Sequence, residues 1–330
     1  NPPAKAQEII SAGDVPLGTQ GNLFGITGGE GTGKSNYVAA IVAGCICPAG
    51  ADIDTLGIQI TANGRHKAVL LYDTEQSEVQ LFKNVSNLLA RAKQPDKPDE
   101  LKAFCLTGMS RKERLNAIVQ SMDKFYYQYG GIQLVVIDGI ADLVKSANDE
   151  AESVAVIDEL YRLAGIYNTC ILCVLHFVPN GLKLRGHLGS ELQRKAATIL
   201  SIEKDEEPTQ SVVKALKVRD GSPLDVPLML FAWDKEAGMH VYKGEKPREE
   251  KEKRKERELV NVARDIFGRQ TRITYIDLCE QLQQVLDIKE RTAKSYIRFM
   301  RERDIITKDT ANQSCFVIGS YNLQRNASCP

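Results

Sequence analysis

The stretch GGEGTGKS, residues 28–35, constrains this chain more than any other feature of its sequence. It has the spacing Gly, four residues of any kind, Gly, Lys and Ser, which forms a loop whose backbone N–H groups surround phosphates. The apolar run NLFGIT precedes it and the helical pattern SNYVAAIVAG follows it. The positive end of that helix would also face the phosphates. The stretch therefore predicts a strand, a phosphate-binding loop and a helix, in that order.

Within and beyond this stretch, individual residues have expected roles in binding ATP and Mg²⁺. Lys34 is expected to reach the β- and γ-phosphates, and the hydroxyl of Ser35 to bind the magnesium ion. Asp138 ends the apolar run LVVID, so we expect it to hold Mg²⁺ through water at the carboxyl edge of the sheet. The predicted nucleotide-binding residues form one continuous run: Gly28, Gly29, Glu30, Gly31, Thr32, Gly33, Lys34, Ser35 and Asn36.

Apolar runs that alternate with helical patterns predict the fold class. The runs NLFGIT, KAVLLYD, LKAFCLT, IQLVVID and CILCVLH are separated by amphipathic stretches. Strands that alternate with helices form a parallel sheet covered on both faces, which is an α/β fold. After His176 the runs AATILSIEKD, SVVKALKVRD and LMLFAWD follow with no predicted helix between them. We expect these three to be antiparallel strands that extend the sheet.

Hydrolysis of a nucleotide needs a residue that positions or deprotonates the attacking water. Many ATPases with such a phosphate-binding loop carry a glutamate directly after the strand-ending aspartate. In this chain that position is Gly139. Glu75, in the stretch VLLYDTEQS, is the nearest substitute. We expect its strand to be the neighbour of the strand that precedes the phosphate-binding loop. Asp73 is the competing acid.

The sequence predicts a second, smaller unit at the C-terminal end. The stretch GEKPREEKEKRKERE, residues 244–258, has the composition of a charged, partly helical linker. It would separate an ATPase domain, residues 1–243, from residues 259–330. The last region has the pattern of three helices followed by a hairpin, which is the order of a winged helix.

The third helix of this region divides into two faces. Ala293, Ile297 and Met300 form an apolar stripe that would pack against the other helices. The opposite stripe is basic, and we expect it to contact DNA, with a protein partner as the alternative. The basic residues recur at intervals of three and four: Arg291, Lys294, Arg298 and Arg301.

Composition adds few constraints. The 330 residues have a net charge of zero, although residues 244–330 hold 18 Lys or Arg against 14 Asp or Glu, a weak indication of nucleic acid. No apolar run of about 18 residues exists, so we expect no membrane partner. The eight cysteines are scattered and several lie in apolar runs, as Cys170 and Cys173 do. Buried free cysteines are the simplest interpretation, and a reducing cytoplasm is the expected location.

Several of these stretches together resemble the RecA-like ATPase superfamily over residues 18–242. Within it, the chain is most similar to RepA-type plasmid helicases, which are hexameric relatives of the DnaB-type replicative helicases. The matching stretches are GGEGTGKS, YDTEQS, VVIDGIADL, CVLHFVPNGLKLRGHLGSELQRKA and KALKVRDG. The resemblance implies a homo-oligomeric, Mg-dependent ATP hydrolase of a plasmid or mobile element that acts on DNA. RepA-type helicases commonly lack a C-terminal winged helix, so the second unit departs from their pattern.

The resemblance also assigns roles to residues outside the phosphate-binding loop. His176 corresponds to a polar residue that senses the γ-phosphate. Lys183, Arg185 and His187 lie in a loop that in the family faces a central channel and holds single-stranded DNA through its phosphates. Lys217 and Arg219 correspond to a pair that reaches the nucleotide of the neighbouring subunit.

The sequence is compatible with three functions. The first is translocation on single-stranded DNA with unwinding. The second is a DNA-binding regulator or loader, in which ATP controls assembly. The third is a recombinase-like filament.

Overall fold

The computed structural model describes residues 5–176, 186–247, 251–268, 270–310 and 312–320. The chain divides into two compact units, residues 1–246 and 247–330. Within the described ranges, no helix combines the length and the apolar character needed to cross a membrane.

A nine-stranded sheet forms the centre of the first unit. Its spatial order is β12 (Met239–Lys246), β11 (Leu228–Asp234), β10 (Gln210–Val218), β9 (Thr198–Lys204), β3 (Leu23–Gly28), β8 (Cys170–His176), β7 (Ile132–Asp138), β5 (Ala68–Asp73) and β6 (Leu101–Cys105). The six strands from β9 to β6 are parallel, and β10, β11 and β12 are antiparallel. This arrangement is an α/β fold with a RecA-like P-loop core, and the predicted fold class is confirmed.

Helices cover both faces of the sheet, so that its strands β3, β5, β7 and β8 are buried on both sides. The helices are α1 (Lys34–Ile46), α2 (Glu78–Arg91), α3 (Arg111–Gln128), α4 (Glu150–Ile166) and α5 (Gly186–Lys195). One apolar core contains residues of α1 and α2, and the other contains residues of α3, α4 and α5. A small antiparallel sheet, in the order β2 (Val15–Thr19), β1 (Glu8–Ala12) and β4 (Gln59–Ile60), joins the first core.

Two predictions about the topology are wrong. The run KAVLLYD is β5, which lies two strands beyond β8; the neighbours of β3 are β8 and β9. The run AATILSIEKD is β9, which pairs parallel to β3, because α5 returns the chain to the starting edge of the sheet. Helix α5 therefore lies between β8 and β9, and His187 lies on this helix rather than in the predicted loop.

The second unit has its own apolar core. It consists of α6 (Lys251–Phe267), β13 (Ile273–Thr274), α7 (Tyr275–Leu286), α8 (Glu290–Glu302), β14 (Ile306–Lys308) and β15 (Cys315–Ile318). The three strands form an antiparallel sheet in the order β13, β15, β14. Helix α8 buries Ala293, Ile297 and Met300, as its apolar stripe predicts. The predicted linker is divided between elements, since residues 244–246 complete β12 and residues 251–258 belong to α6.

Candidate nucleotide and catalytic site

The phosphate-binding loop joins β3 to α1 and depends on two glycines with positive φ. Gly31 has φ of 68° and Gly33, the N-cap of α1, has φ of 94°, a region that side chains rarely adopt. The Thr32 hydroxyl donates to the Gly29 carbonyl at 2.9 Å and closes the turn. A Cβ at Gly33 would lie 2.8 Å from Cε2 of Phe231, so the loop also packs directly on β11.

Lys34 begins α1 and turns its ammonium back over the loop. Its Nζ donates to the carbonyls of Gly28 at 3.0 Å and Gly29 at 2.6 Å, and the side chain is 7% exposed. Burial lowers the pKa of Lys34, although the nearby carboxylates of Asp138 and Glu75 oppose that shift. The ammonium is thus held beside the loop that the sequence predicts to surround phosphates, while Ser35 next to it is exposed.

Parallel pairing places the functional strand ends in one row. Gly28 on β3 lies opposite His176 on β8, and Asp138 on β7 lies opposite Asp73 on β5. Since β8 and β7 are neighbours, His176 lies one strand from Asp138. The carboxyl edge of a parallel sheet is where such folds bind ligands.

Thr74 fixes the geometry between β5 and β7. Its hydroxyl donates to the Gly139 carbonyl at 2.8 Å and accepts from the Gly139 N–H at 3.0 Å. Its own N–H donates to the Asp138 carbonyl at 2.7 Å. These contacts tie the end of β7 to the segment that carries Glu75.

Glu75 occupies the space beside Gly139. A Cβ at position 139 would collide with Oε1 of Glu75, so this carboxylate and a side chain at 139 exclude each other. The second oxygen, Oε2, lies 3.4 Å from Nε2 of His176. Glu75 therefore reaches across the end of β7 to β8, although it follows a strand that does not neighbour β3.

Asp73 is the alternative candidate for the catalytic acid, and its contacts give it a structural role in the turn after β5. Its Oδ1 accepts the backbone N–H groups of Glu75 at 3.0 Å and Gln76 at 2.8 Å, and the residue is 3% exposed. Burial is the main cause of the raised pKa of Asp73. Its oxygen thus shapes the turn that presents Glu75.

The charges at the carboxyl ends of these strands are compatible with a bound divalent cation. Burial first, and then the charges of Asp73 and Glu75, raise the pKa of Asp138 to about 7, while Lys34 and His176 oppose the shift. Three carboxyl groups near one buried ammonium leave negative charge that an oxygen-binding cation would offset. Among the described residues, no group of three or more His, Cys, Asp or Glu side chains could hold a metal ion by itself.

Gly139→Ala tests the fit between Glu75 and its neighbour. The added methyl group displaces the Glu75 carboxylate, and a misplacement of about 1 Å in a catalytic group can cost about 10²-fold in rate. We expect kcat for ATP to fall by about that factor with little change in ATP affinity, measured by phosphate release and calorimetry. Gly165→Ala is the matched control, because a Cβ there meets nothing within 4 Å. Wild-type turnover in Gly139→Ala would contradict the assignment of Glu75.

The Lys217–Arg219 pair and the phosphate-binding loop lie at opposite ends of the strands. Val218 pairs with Thr198 at the start of β9, whereas Gly28 pairs with Ile202. The offset of four residues corresponds to about 13 Å along the strands. The pair is therefore remote from the loop of its own chain.

Both side chains of this pair contact the C-terminal turn of α5. Lys217 donates to the carbonyls of Gln193 at 2.7 Å and Arg194 at 3.1 Å. Arg219 donates to the Lys195 carbonyl at 3.2 Å and is exposed. Cations at the negative end of a helix are favourably placed.

The predicted DNA contacts are placed only in part. Lys183 and Arg185 lie outside the described residues, and His187 is exposed on α5. All four basic residues of α8 are exposed, but two of them form ion pairs along the helix. Lys294 contacts Glu290 at 2.7 Å and Arg298 contacts Glu302 at 2.8 Å.

Comparison with known families agrees with this geometry. The sequence profile of the AAA domain family matches residues 1–180. The chain belongs to the AAA domain family. The matched AAA domain contains Lys34, Glu75, Asp138 and His176, so the protein is a nucleotide-binding ATPase. No curated protein matches the chain, and the narrower similarity to RepA-type helicases stays a prediction.

Sequence reasoning missed two parts of the site. Thr74 stands next to Glu75 in the sequence, but only the pairing of β5 with β7 reveals its contacts with Gly139. Phe231 lies about 200 residues from Gly33 in the chain, and an apolar residue in a strand carries no signal of such a contact.

Proposed function

We propose that this AAA-family ATPase is an oligomeric motor of the RepA/DnaB type that moves on single-stranded DNA. The observation that carries the proposal is the position of Lys217 and Arg219 at the edge opposite the phosphate-binding loop. A catalytic role for the pair then requires the nucleotide of a second subunit. Sites shared between subunits couple hydrolysis in one subunit to its neighbour, as in a closed ring such as a hexamer.

In the proposed reaction, Glu75 positions and deprotonates the water that attacks the γ-phosphate. Lys34 binds the β- and γ-phosphates, and Ser35 and Asp138 would hold Mg²⁺, which supplies positive charge near the phosphates. Arg219 of an adjacent subunit would stabilise charge in the transition state. His176 contacts Glu75, so loss of the γ-phosphate would change the surroundings of both side chains.

The chain order offers a route from this chemistry to DNA. His176 ends β8, and the basic segment with Lys183 and Arg185 follows directly. In the proposal, the state of the nucleotide is transmitted through His176 to that segment, which holds DNA phosphates.

A second candidate function is a DNA-binding regulator or loader. The observation that favours it is the second unit, in which an exposed basic face of α8 stands opposite its buried apolar stripe. In this proposal the unit is a winged helix that recognises duplex DNA, and ATP controls assembly on that site.

Strand displacement distinguishes the two functions. A forked duplex labelled on one strand is incubated with the protein, ATP and Mg²⁺, and released strand is measured over time. Sustained displacement, absent in Lys34→Ala, supports the motor. Hydrolysis stimulated by DNA with no displacement would favour the loader.

Removal of residues 247–330 separates the contributions of the two units. Because each unit has its own core, the truncated protein is expected to fold and keep basal ATP hydrolysis. Duplex affinity should fall, and the dependence of affinity on salt should flatten because phosphate contacts are lost. Arg291→Gln in the full chain should produce a smaller shift of the same sign. Unchanged duplex binding after truncation would show that the unit serves a protein partner.

A further inference from the structure

An exposed indole lies near the phosphate-binding loop. Trp233, the single tryptophan of the chain, is 54% exposed at the end of β11. Large aromatic side chains in water commonly mark a contact surface. The mechanism described above gives this residue no role.

A row of aromatic rings connects Trp233 to the loop. The ring of Tyr37 on α1 lies 5.8 Å from that of Phe231, and the ring of Phe231 lies 5.6 Å from that of His240. His240 then contacts Trp233 edge to face at 5.5 Å. Since Phe231 packs against Gly33, the row begins at the loop and ends at the exposed indole.

Topology sets the direction of this row. Strand β11 runs parallel to β3 in space, because it is antiparallel to β10, which is antiparallel to β9. Trp233 follows Phe231 by two residues, so both side chains lie on the same face. The indole therefore lies about 7 Å farther than Phe231 toward the strand ends that carry the loop. It is on the side of the sheet covered by α1.

We propose that Trp233, supported by His240, forms the surface on which the base of the bound nucleotide stacks. The inference rests on the proposed ATPase site, since it concerns the nucleoside attached to the same phosphates. The flat π-face of a nucleobase stacks on an indole. A protein partner would instead need further exposed apolar residues around Trp233.

The contacts of His240 hold the indole in place. Its carbonyl accepts a hydrogen bond from the Arg91 guanidinium, which fixes the start of β12. Its buried Nδ1 has no hydrogen-bond partner among the described residues. Burial lowers the pKa of His240, and the charges of Lys204 and Arg91 lower it further, which favours the neutral ring.

Tryptophan emission measures the contact directly, because no other residue contributes it. We expect Mg-ATP to quench and shift the emission, and inorganic tripolyphosphate, which fills the phosphate loop without a base, to leave it nearly unchanged. Equal responses to both ligands, or a response to neither while ATP is bound, would overturn the proposal.

Binding to substituted proteins tests the energetic contribution. Trp233→Ala should weaken ATP binding about tenfold and leave tripolyphosphate binding unchanged, while Trp233→Phe should restore most of the loss. Tyr127→Ala is the control, since Tyr127 is a 75% exposed aromatic residue on α3. ATP affinity equal to wild type in Trp233→Ala would refute base stacking and leave the ATPase intact. Failure of wild type to bind or hydrolyse ATP would instead refute the nucleotide site itself.

Discussion

Glu75→Gln is expected to bind ATP normally and to lose hydrolysis by a factor of about 10² to 10⁴. Glutamine keeps the size of the side chain beside Gly139 and the contact with His176, but it cannot accept a proton from water. Binding is measured by calorimetry in the presence of Mg²⁺, and turnover by phosphate release. The product of this substitution should therefore be an ATP-loaded protein that does not turn over.

Asp73→Asn is the matched control for this experiment. Asparagine retains the Oδ1 that accepts the N–H groups of Glu75 and Gln76, so the turn keeps its shape and turnover should stay close to wild type. The reverse outcome, with Asp73→Asn inactive and Glu75→Gln active, would show that Asp73 is the catalytic acid.

Mixing two inactive variants is expected to restore ATP hydrolysis. Arg219→Ala keeps its own phosphate-binding loop and should still bind ATP, yet lose about 10³-fold or more in rate because the adjacent site lacks a transition-state charge. A Lys34→Ala subunit cannot bind the phosphates of ATP properly in its own loop, but it retains Arg219. In a random equal mixture in a closed ring, about a quarter of the sites pair an intact loop with an intact Arg219.

The measurement requires that subunits exchange, which is shown first by mass labelling or by energy transfer between labelled chains. Hydrolysis of the mixture is then compared with that of each parent at the same total concentration. A mixture of Lys34→Ala with Lys34→Ala,Arg219→Ala is the matched control and should stay inactive. A mixture no more active than its parents, despite exchange, would show that Arg219 does not serve a neighbour and would remove the main support for the ring.

The phosphate-binding loop could be predicted from the sequence because its chemistry is local. The glycines, Lys34 and Ser35 act within eight consecutive residues, and their spacing is sufficient to define a loop of that shape. Asp138 and His176 could be predicted for a similar reason. An apolar run that ends in a polar residue places that residue at the carboxyl edge, where parallel strands meet.

Strand order could not be predicted, because it depends on contacts between residues far apart in the sequence. Glu75 was expected on a strand beside β3, but β5 lies beyond β7 and β8. Its carboxylate reaches the row only because Thr74 ties β5 to β7 and Gly139 leaves room for it. Helix α5 was missed because it has ten residues, and two of them, Gly186 and Gly189, have low helix propensity.

The remoteness of Lys217 and Arg219 from their own phosphate-binding loop and the surface near Trp233 arise only in the folded chain. The alternation in KALKVRDG indicates that Lys217 and Arg219 share a face, but the pairing of β10 with β9 places them away from their own loop. Trp233 gains its position through two antiparallel strands that return β11 to the direction of β3. Local spacing fixes which groups a short segment presents, whereas sheet pairing, set by burial of apolar faces across the whole chain, fixes which of those groups meet.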